Sequence, residues 1–133
     1  LTKDSRKILP ENVTLSDFVV NLANTASITA AFCKNDYNLL KDNLFDYIIE
    51  PTRSTLIPGF PEAKEAALVA GAHGMTISGS GPTVFAITNS QKASVKIESA
   101  MVTAFNKKGV ECKSLITTSS VDGSGIVNNG IIT

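Results

Sequence analysis

Two sets of residues in this sequence are placed to do chemistry: a cluster of glycines and serines between apolar runs, and two arginines in a chain whose other basic residues are lysine. The cluster reads Thr76-Ile77-Ser78-Gly79-Ser80-Gly81-Pro82-Thr83. Glycines at this spacing let successive backbone N–H groups converge on an anion with no Cβ in the way, so phosphate or carboxylate would fit. An ordinary tight β-hairpin accounts for the same spacing. It is not a Walker loop, because no Gly-Lys-Ser/Thr follows and the next element reads as a strand.

Arg53 stands in the proline-stiffened stretch Glu50-Pro51-Thr52-Arg53-Ser54-Thr55-Leu56-Ile57-Pro58-Gly59-Phe60-Pro61. Its planar fork pairs bidentately with a carboxylate or phosphate in a way lysine cannot. The competing reading is an ion pair with Glu50 or another nearby acid. Arg6, in Ser5-Arg6-Lys7-Ile8-Leu9-Pro10, reads locally as a solvent-facing residue. The one histidine, His73, lies between Gly71-Ala72 and Gly74 at a helix-to-strand corner, where a structural role such as capping the helix is expected. Acidic residues are scattered, and no pair of them suggests acid–base work.

The elements that must hold these residues follow from periodicity. Thr14-Leu15-Ser16-Asp17 offers a helix cap, after which Leu15, Phe18, Val19, Leu22, Ala23, Ala26, Ala30 and Cys33 recur at three- and four-residue steps. That spacing predicts a long helix whose apolar stripe is core, broken at Lys34-Asn35-Asp36. Tyr37, Leu40, Leu44 and Tyr47 predict a second helix that ends before Pro51, and residues 50–61 read as irregular. Pro61 opens a third helix with an alanine face at Ala63, Ala66, Ala67 and Ala70, stopped by Gly71. The period then changes to two: Met75-Thr76-Ile77 and Thr83 to Ile87 read as strands joined by the glycine-rich turn. A helix over Ala93 to Phe105, ended by Gly109, comes next. Val110 to Thr117 and Gly123 to Val127 are the remaining strand candidates, with Asn129-Gly130 as a hairpin turn or a frayed end. The layout is α+β and would match a split βαβ sandwich lacking its first strand.

At 133 residues and 43% hydrophobic, the chain is one domain with a real core. Twelve basic and twelve acidic side chains cancel, so no field steers it toward nucleic acid or anionic membranes. No apolar run approaches membrane-spanning length. Cys33 and Cys112 are far apart and read as reduced thiols of a cytoplasmic protein, and one histidine with two distant cysteines makes no metal site. The opening Leu1-Thr2-Lys3-Asp4-Ser5 carries neither start methionine nor signal pattern, which predicts the interior of a longer chain.

Three blocks together resemble the C-terminal part of the homoserine kinases, a family within the GHMP kinase superfamily. They are Thr2 with Arg6 and Leu9-Pro10; Asp46-Tyr47-Ile48-Ile49-Glu50-Pro51-Thr52-Arg53 with Leu56-Ile57-Pro58-Gly59-Phe60; and Gly71 through Thr83. The likeness runs nearly end to end. It implies the ferredoxin-like, split βαβ C-terminal domain of these kinases over residues 1–133, and ATP-dependent phosphorylation of the L-homoserine hydroxyl in threonine synthesis. It implies that Arg6 and Arg53 clamp the substrate carboxylate. Thr2 would lie close to the reacting phosphate, and Ser78, Gly79, Ser80 and Gly81 would form the loop closing the site beside the phosphates.

The superfamily's phosphate-cradling loop, of Pro-x-x-x-Gly-Leu-Gly-Ser-Ser-Ala type, has no counterpart here. ATP and Mg²⁺ are therefore expected to be held mainly by an N-terminal kinase domain outside this segment, which would be this domain's first partner, and the segment alone is expected to be inactive. A homodimer stays open. Three alternatives remain at this point: another GHMP small-molecule kinase, a non-catalytic amino-acid-sensing α+β module, and a purely structural or dimerisation domain in which both arginines tolerate lysine.

Overall fold

The computed structural model describes residues 2–120, 127–128 and 131–132, without the side chains of 2, 4 and the last four of these. Among the described residues, six helices and two antiparallel strand pairs follow one another: α1 (Thr2–Lys7), α2 (Leu15–Lys34), α3 (Tyr37–Asn43), α4 (Ile49–Arg53), α5 (Phe60–Val69), β1 (Gly74–Ile77), β2 (Val84–Ile87), α6 (Gln91–Lys107), β3 (Val127–Asn128) and β4 (Ile131–Ile132). The α+β expectation holds.

Local chemistry explains the boundaries. Thr14 accepts the Asp17 N–H through its hydroxyl at the start of α2, and Ser90 does the same for Ala93 at the start of α6. Asn35 adopts the left-handed conformation that ends α2, and the Asp36 carboxylate then receives the Asn38 and Leu39 N–H groups to start α3. Pro61 sits in the first turn of α5, where its missing N–H costs nothing.

The core lies where α5 packs between α6 and the β1–β2 hairpin. Ala63 and Ala67 are fully buried on α5, Met75 on β1, and Ile97, Ala104 and Phe105 close the cluster from α6. Small alanines let α5 lie close to its neighbours, which is why the alanine face predicted from sequence is the buried one. β1 and β2 pair antiparallel with Gly74 opposite Ile87 and Ile77 opposite Val84, so the loop of residues 78–83 falls at the tip. β3 and β4 form a second, separate pair.

Four expectations need correction. The apolar stripe of α2 is not core: Leu15, Phe18, Val19 and Leu22 are 51–78% exposed, and among the helix's residues only Ala31 is buried. Asn21 and Asn24 occupy the inward side because the backbone of residues 45–47 needs partners: Asn24 donates to the Phe45 carbonyl and Asn21 accepts the Tyr47 N–H. The second helix stops at Asn43 rather than reaching Tyr47. Residues 50–61 are not irregular throughout, since α4 runs through Pro51 and continues into a 3-10 turn at Ser54–Leu56. A proline in a first turn forfeits no intrahelical bond, and Asp46 takes up the preceding amides.

The fourth correction is the strand expected over Val110 to Thr117. Val110 and Cys112 do pack against the core at the alternating spacing of a strand, but among the described residues β1 and β2 pair only with each other, and residues 111–120 form no ladder. Strand propensity alone makes no strand: with its backbone unpaired, the run remains irregular even though the β1–β2 pair has open edges. Of the strand expected over Gly123 to Val127, only Val127 is described, and it pairs with Ile132. The Asn129-Gly130 turn lies outside the described residues.

Candidate functional site

Arg53, the last residue of α4, is half-buried and reaches in two directions. Its Nε donates to the carbonyl of Ser5 at 3.5 Å, and its Nη1 donates to the carbonyl of Gly79 at 2.8 Å. One guanidinium thus joins the end of α1 to the tip of the β1–β2 hairpin, across separations of 48 and 26 residues. Two of its five N–H donors are committed to these carbonyls, which leaves the others for a ligand.

The ion pair between Arg53 and Glu50, the competing reading of this arginine, is not made. Glu50, one turn earlier on α4, is engaged on both carboxylate oxygens: Lys64 of α5 pairs with Oε1, and the Thr76 hydroxyl of β1 donates to Oε2 at 2.6 Å. Lys64 also lies over the rings of Phe45 and Phe60, 5.6 and 5.8 Å from their centroids. Among the described residues Arg53 has no acidic partner. Sequence reasoning passed over Glu50, Lys64 and Thr76 as a set; Glu50 and Thr76 each stood in the blocks that carry the resemblance, but Lys64 lies on a solvent-pattern position of α5 with no signal of its own.

Asp46 organises the other end of α4. Its carboxylate accepts the N–H groups of Ile48, Ile49 and Glu50 and the side-chain amide of Asn21 from α2. Burial pushes its pKa up, but the Ile49, Ile48, Asn21 and Glu50 hydrogen bonds outweigh that and hold the carboxyl below its ordinary value.

The glycine turn behaves as a closed hairpin loop with a special backbone. Ser78 donates its N–H to the Thr83 carbonyl and Gly81 donates to Ser78, while Gly79 and Gly81 take φ of +60° and +75°. The Gly81–Pro82 peptide is cis. Ser78 and Gly79 are exposed; Ser80 and Gly81 are half-buried. The turn's link to the rest of the site is the Gly79 carbonyl under Arg53.

Arg6 is exposed at the end of α1, next to Ser5 and hence beside the segment that Arg53 holds. Thr2 opens α1, and its side chain lies outside the described part. His73 is structural, though not as a helix cap. The α5 end is closed by backbone bonds from Gly71 and Ala72 to Leu68 and Ala67, while the His73 ring stacks at 4.9 Å on Tyr37 and meets Asn89 Oδ1 at 3.1 Å. Both cysteines are free thiols. An open groove of about 750 Å³ between α5 and α6, lined by Glu62, Val95, Lys96, Ser99 and Thr103 among others, shares no residue with the Arg53 cluster.

A half-buried arginine linking a glycine turn to a preceding helix is one feature of a chain whose residues 28–108 match the family described as GHMP kinases, C terminal. The chain belongs to that family. It is 33% identical over 126 residues to a homoserine kinase of Desulfitobacterium hafniense, covering 95% of this chain and 42% of the relative. It is 42% identical over 104 residues to a homoserine kinase of Chlorobaculum tepidum, covering 78% of this chain and 32% of that one. The crystal structure of homoserine kinase from Cytophaga hutchinsonii superposes with a TM-score of 0.79 at 47% identity, over 80% of this chain and 34% of that chain. The chain thus spans well under half the length of these relatives. No helix among the described residues is long and apolar enough to cross a membrane.

Proposed function

We propose that this chain is the C-terminal domain of a cytoplasmic homoserine kinase and supplies the substrate-facing half of its active site. In the reaction, the side-chain hydroxyl oxygen of L-homoserine bonds to the γ-phosphorus of ATP, the bond from that phosphorus to the β–γ bridging oxygen breaks, and the hydroxyl proton is released. The products are O-phosphohomoserine and ADP. The observation that carries the reading is Arg53, a fixed guanidinium beside the glycine turn with donors to spare. Such a fork grips an amino-acid carboxylate end-on, and Arg6 at the neighbouring helix end is the second cation for the same group. Ser78, Gly79, Ser80 and Gly81 would then wall the site beside the transferred phosphate, with Thr2 nearby.

The described residues do not fit a complete nucleotide and metal site. Among the described residues no three acidic, histidine or cysteine side chains come together. The Ser78 and Gly81 amides are donated within the turn rather than held out to an anion. ATP and Mg²⁺ are therefore assigned mainly to an N-terminal domain, and the ferredoxin-like split βαβ sandwich is assigned to the whole kinase, where further strands would extend the β1–β2 pair.

Steady-state kinetics of the full-length enzyme test the reading. A charge-assisted contact to a carboxylate contributes about 1.5–3 kcal/mol, so Arg53→Lys should raise the homoserine KM by about 10-fold to 150-fold. The ATP KM should move little. Arg6→Lys should act alike, without additivity in the double variant, because both would hold one carboxylate. An unchanged homoserine KM in Arg53→Lys would remove the arginine from the substrate site.

A further inference from the structure

The contact between Arg53 and Gly79 has a twin one step earlier in both segments. Arg53 lies three residues after Glu50 on α4, and Gly79 lies three residues after Thr76 on the path from β1 into the turn. Glu50 bonds Thr76 as Arg53 bonds Gly79, so two parallel side-chain rungs join α4 to the hairpin. The first rung is the sheltered one: the Glu50 and Lys64 side chains are 12% and 17% exposed. A helix of five residues has no capacity to hold its own direction. Its direction is set from outside, by Asp46 at its start and by Glu50 on its flank.

We infer that Glu50, with Thr76 and Lys64, is a positioning unit that aims Arg53 at the substrate carboxylate and holds the glycine turn at a matching height. This deepens the substrate-site reading and rests on it. Lys64 supplies the charge that makes it favourable to keep the Glu50 carboxylate in a sheltered place, and the flanking Phe45 and Phe60 rings confine the ammonium there. Thr76 sets where along β1 the carboxylate sits. Since Glu50 touches both segments that carry the Arg53–Gly79 contact, a shift in the first rung moves both ends of the second.

Thr76→Val in the full-length enzyme tests this, because it removes the hydroxyl donor and keeps the shape. A lost hydrogen bond to a charged group, passed on to the arginine, should raise the homoserine KM by about 10-fold, with kcat and the ATP KM held within about two-fold. Thr76→Ser keeps the donor and should restore the wild-type KM. Lys64→Gln, which loosens Glu50 from its other side, should give the same split. In an Arg53→Lys background Thr76→Val should add little, since the positioned group is already gone.

Two results would overturn the proposal while leaving Arg53 in the substrate site. One is a raised homoserine KM in Arg53→Lys beside an unchanged KM in both Thr76→Val and Lys64→Gln, whatever their melting temperatures. The other is full additivity of Thr76→Val with Arg53→Lys. If Arg53→Lys itself leaves the homoserine KM unchanged, the substrate-site reading fails and the positioning proposal fails with it.

Discussion

Gly79 and Gly81 both have positive φ, but a methyl group would meet different surroundings at each. At Gly81 an added Cβ would stand 3.1 Å from the Ile57 Cδ1 and 3.3 Å from the Ile77 Cγ2, while at Gly79 nothing lies within 4 Å. Gly81→Ala therefore adds packing strain to backbone strain and should destabilise by about 1–3 kcal/mol. Gly79→Asn, in open space and with a residue that visits the left-handed region, should cost less than about 1 kcal/mol. Urea denaturation of the two variants checks the order, and equal losses would contradict it. At this scale the sequence did not show which groups Glu50 and Arg53 would meet. Glu50 and Arg53 are three apart on a helix, the spacing of an ion pair; Lys64 and Thr76 reach the carboxylate instead, and that competition is invisible without the tertiary arrangement.

Among the elements, α4 is short and held by contacts outside itself. Asp46 ties it to α2 through Asn21 and caps its first amides, and those hydrogen bonds hold the Asp46 pKa below its ordinary value. A carboxylate with a depressed folded pKa contributes stability that is fully present above its unfolded pKa, near about pH 4, and lost as pH falls through the folded value. Thermal melts of the wild type should therefore fall on acidification below about pH 4. Asp46→Asn should melt lower at neutral pH and show a shallower acid slope, and parallel slopes for the two proteins would contradict the assignment. The element boundaries of α2, α5, β1, β2 and α6 were legible because caps, a first-turn proline and glycines mark them. α4 was missed because proline inside a short run reads as a breaker, and only a capping carboxylate three residues before the helix reverses that reading.

For the whole molecule, the unequal distribution of parts predicts an unequal distribution of chemistry. Phosphoryl transfer rests on positioning and on neutralising charge around the phosphates, and under the proposed function this chain would supply a substrate clamp without a phosphate cradle. The isolated 133-residue chain should show no homoserine-dependent ADP release above background. Robust turnover by the pure fragment would contradict the assignment of ATP binding to another domain. The outward apolar face of α2 belongs to this scale too, because nothing in the described residues covers Leu15, Phe18, Val19 or Leu22.

Sequence alone determined what depends on neighbours along the chain: the caps, the alanine face of α5, the period-two strands, the glycine turn, and the motif blocks that place the chain among GHMP kinases. These follow from interactions within a few residues, or from residue types that only one backbone conformation favours. Tertiary structure decided which face of α2 turns inward, whether the run after Val110 finds a strand to pair with, and which cation holds Glu50. Each of those is a competition among groups distant in sequence for one buried or hydrogen-bonded place. Periodicity ranks the candidates for such a place, and only the packed chain brings Lys64 and Thr76 to Glu50 and leaves Arg53 to join Ser5 and Gly79.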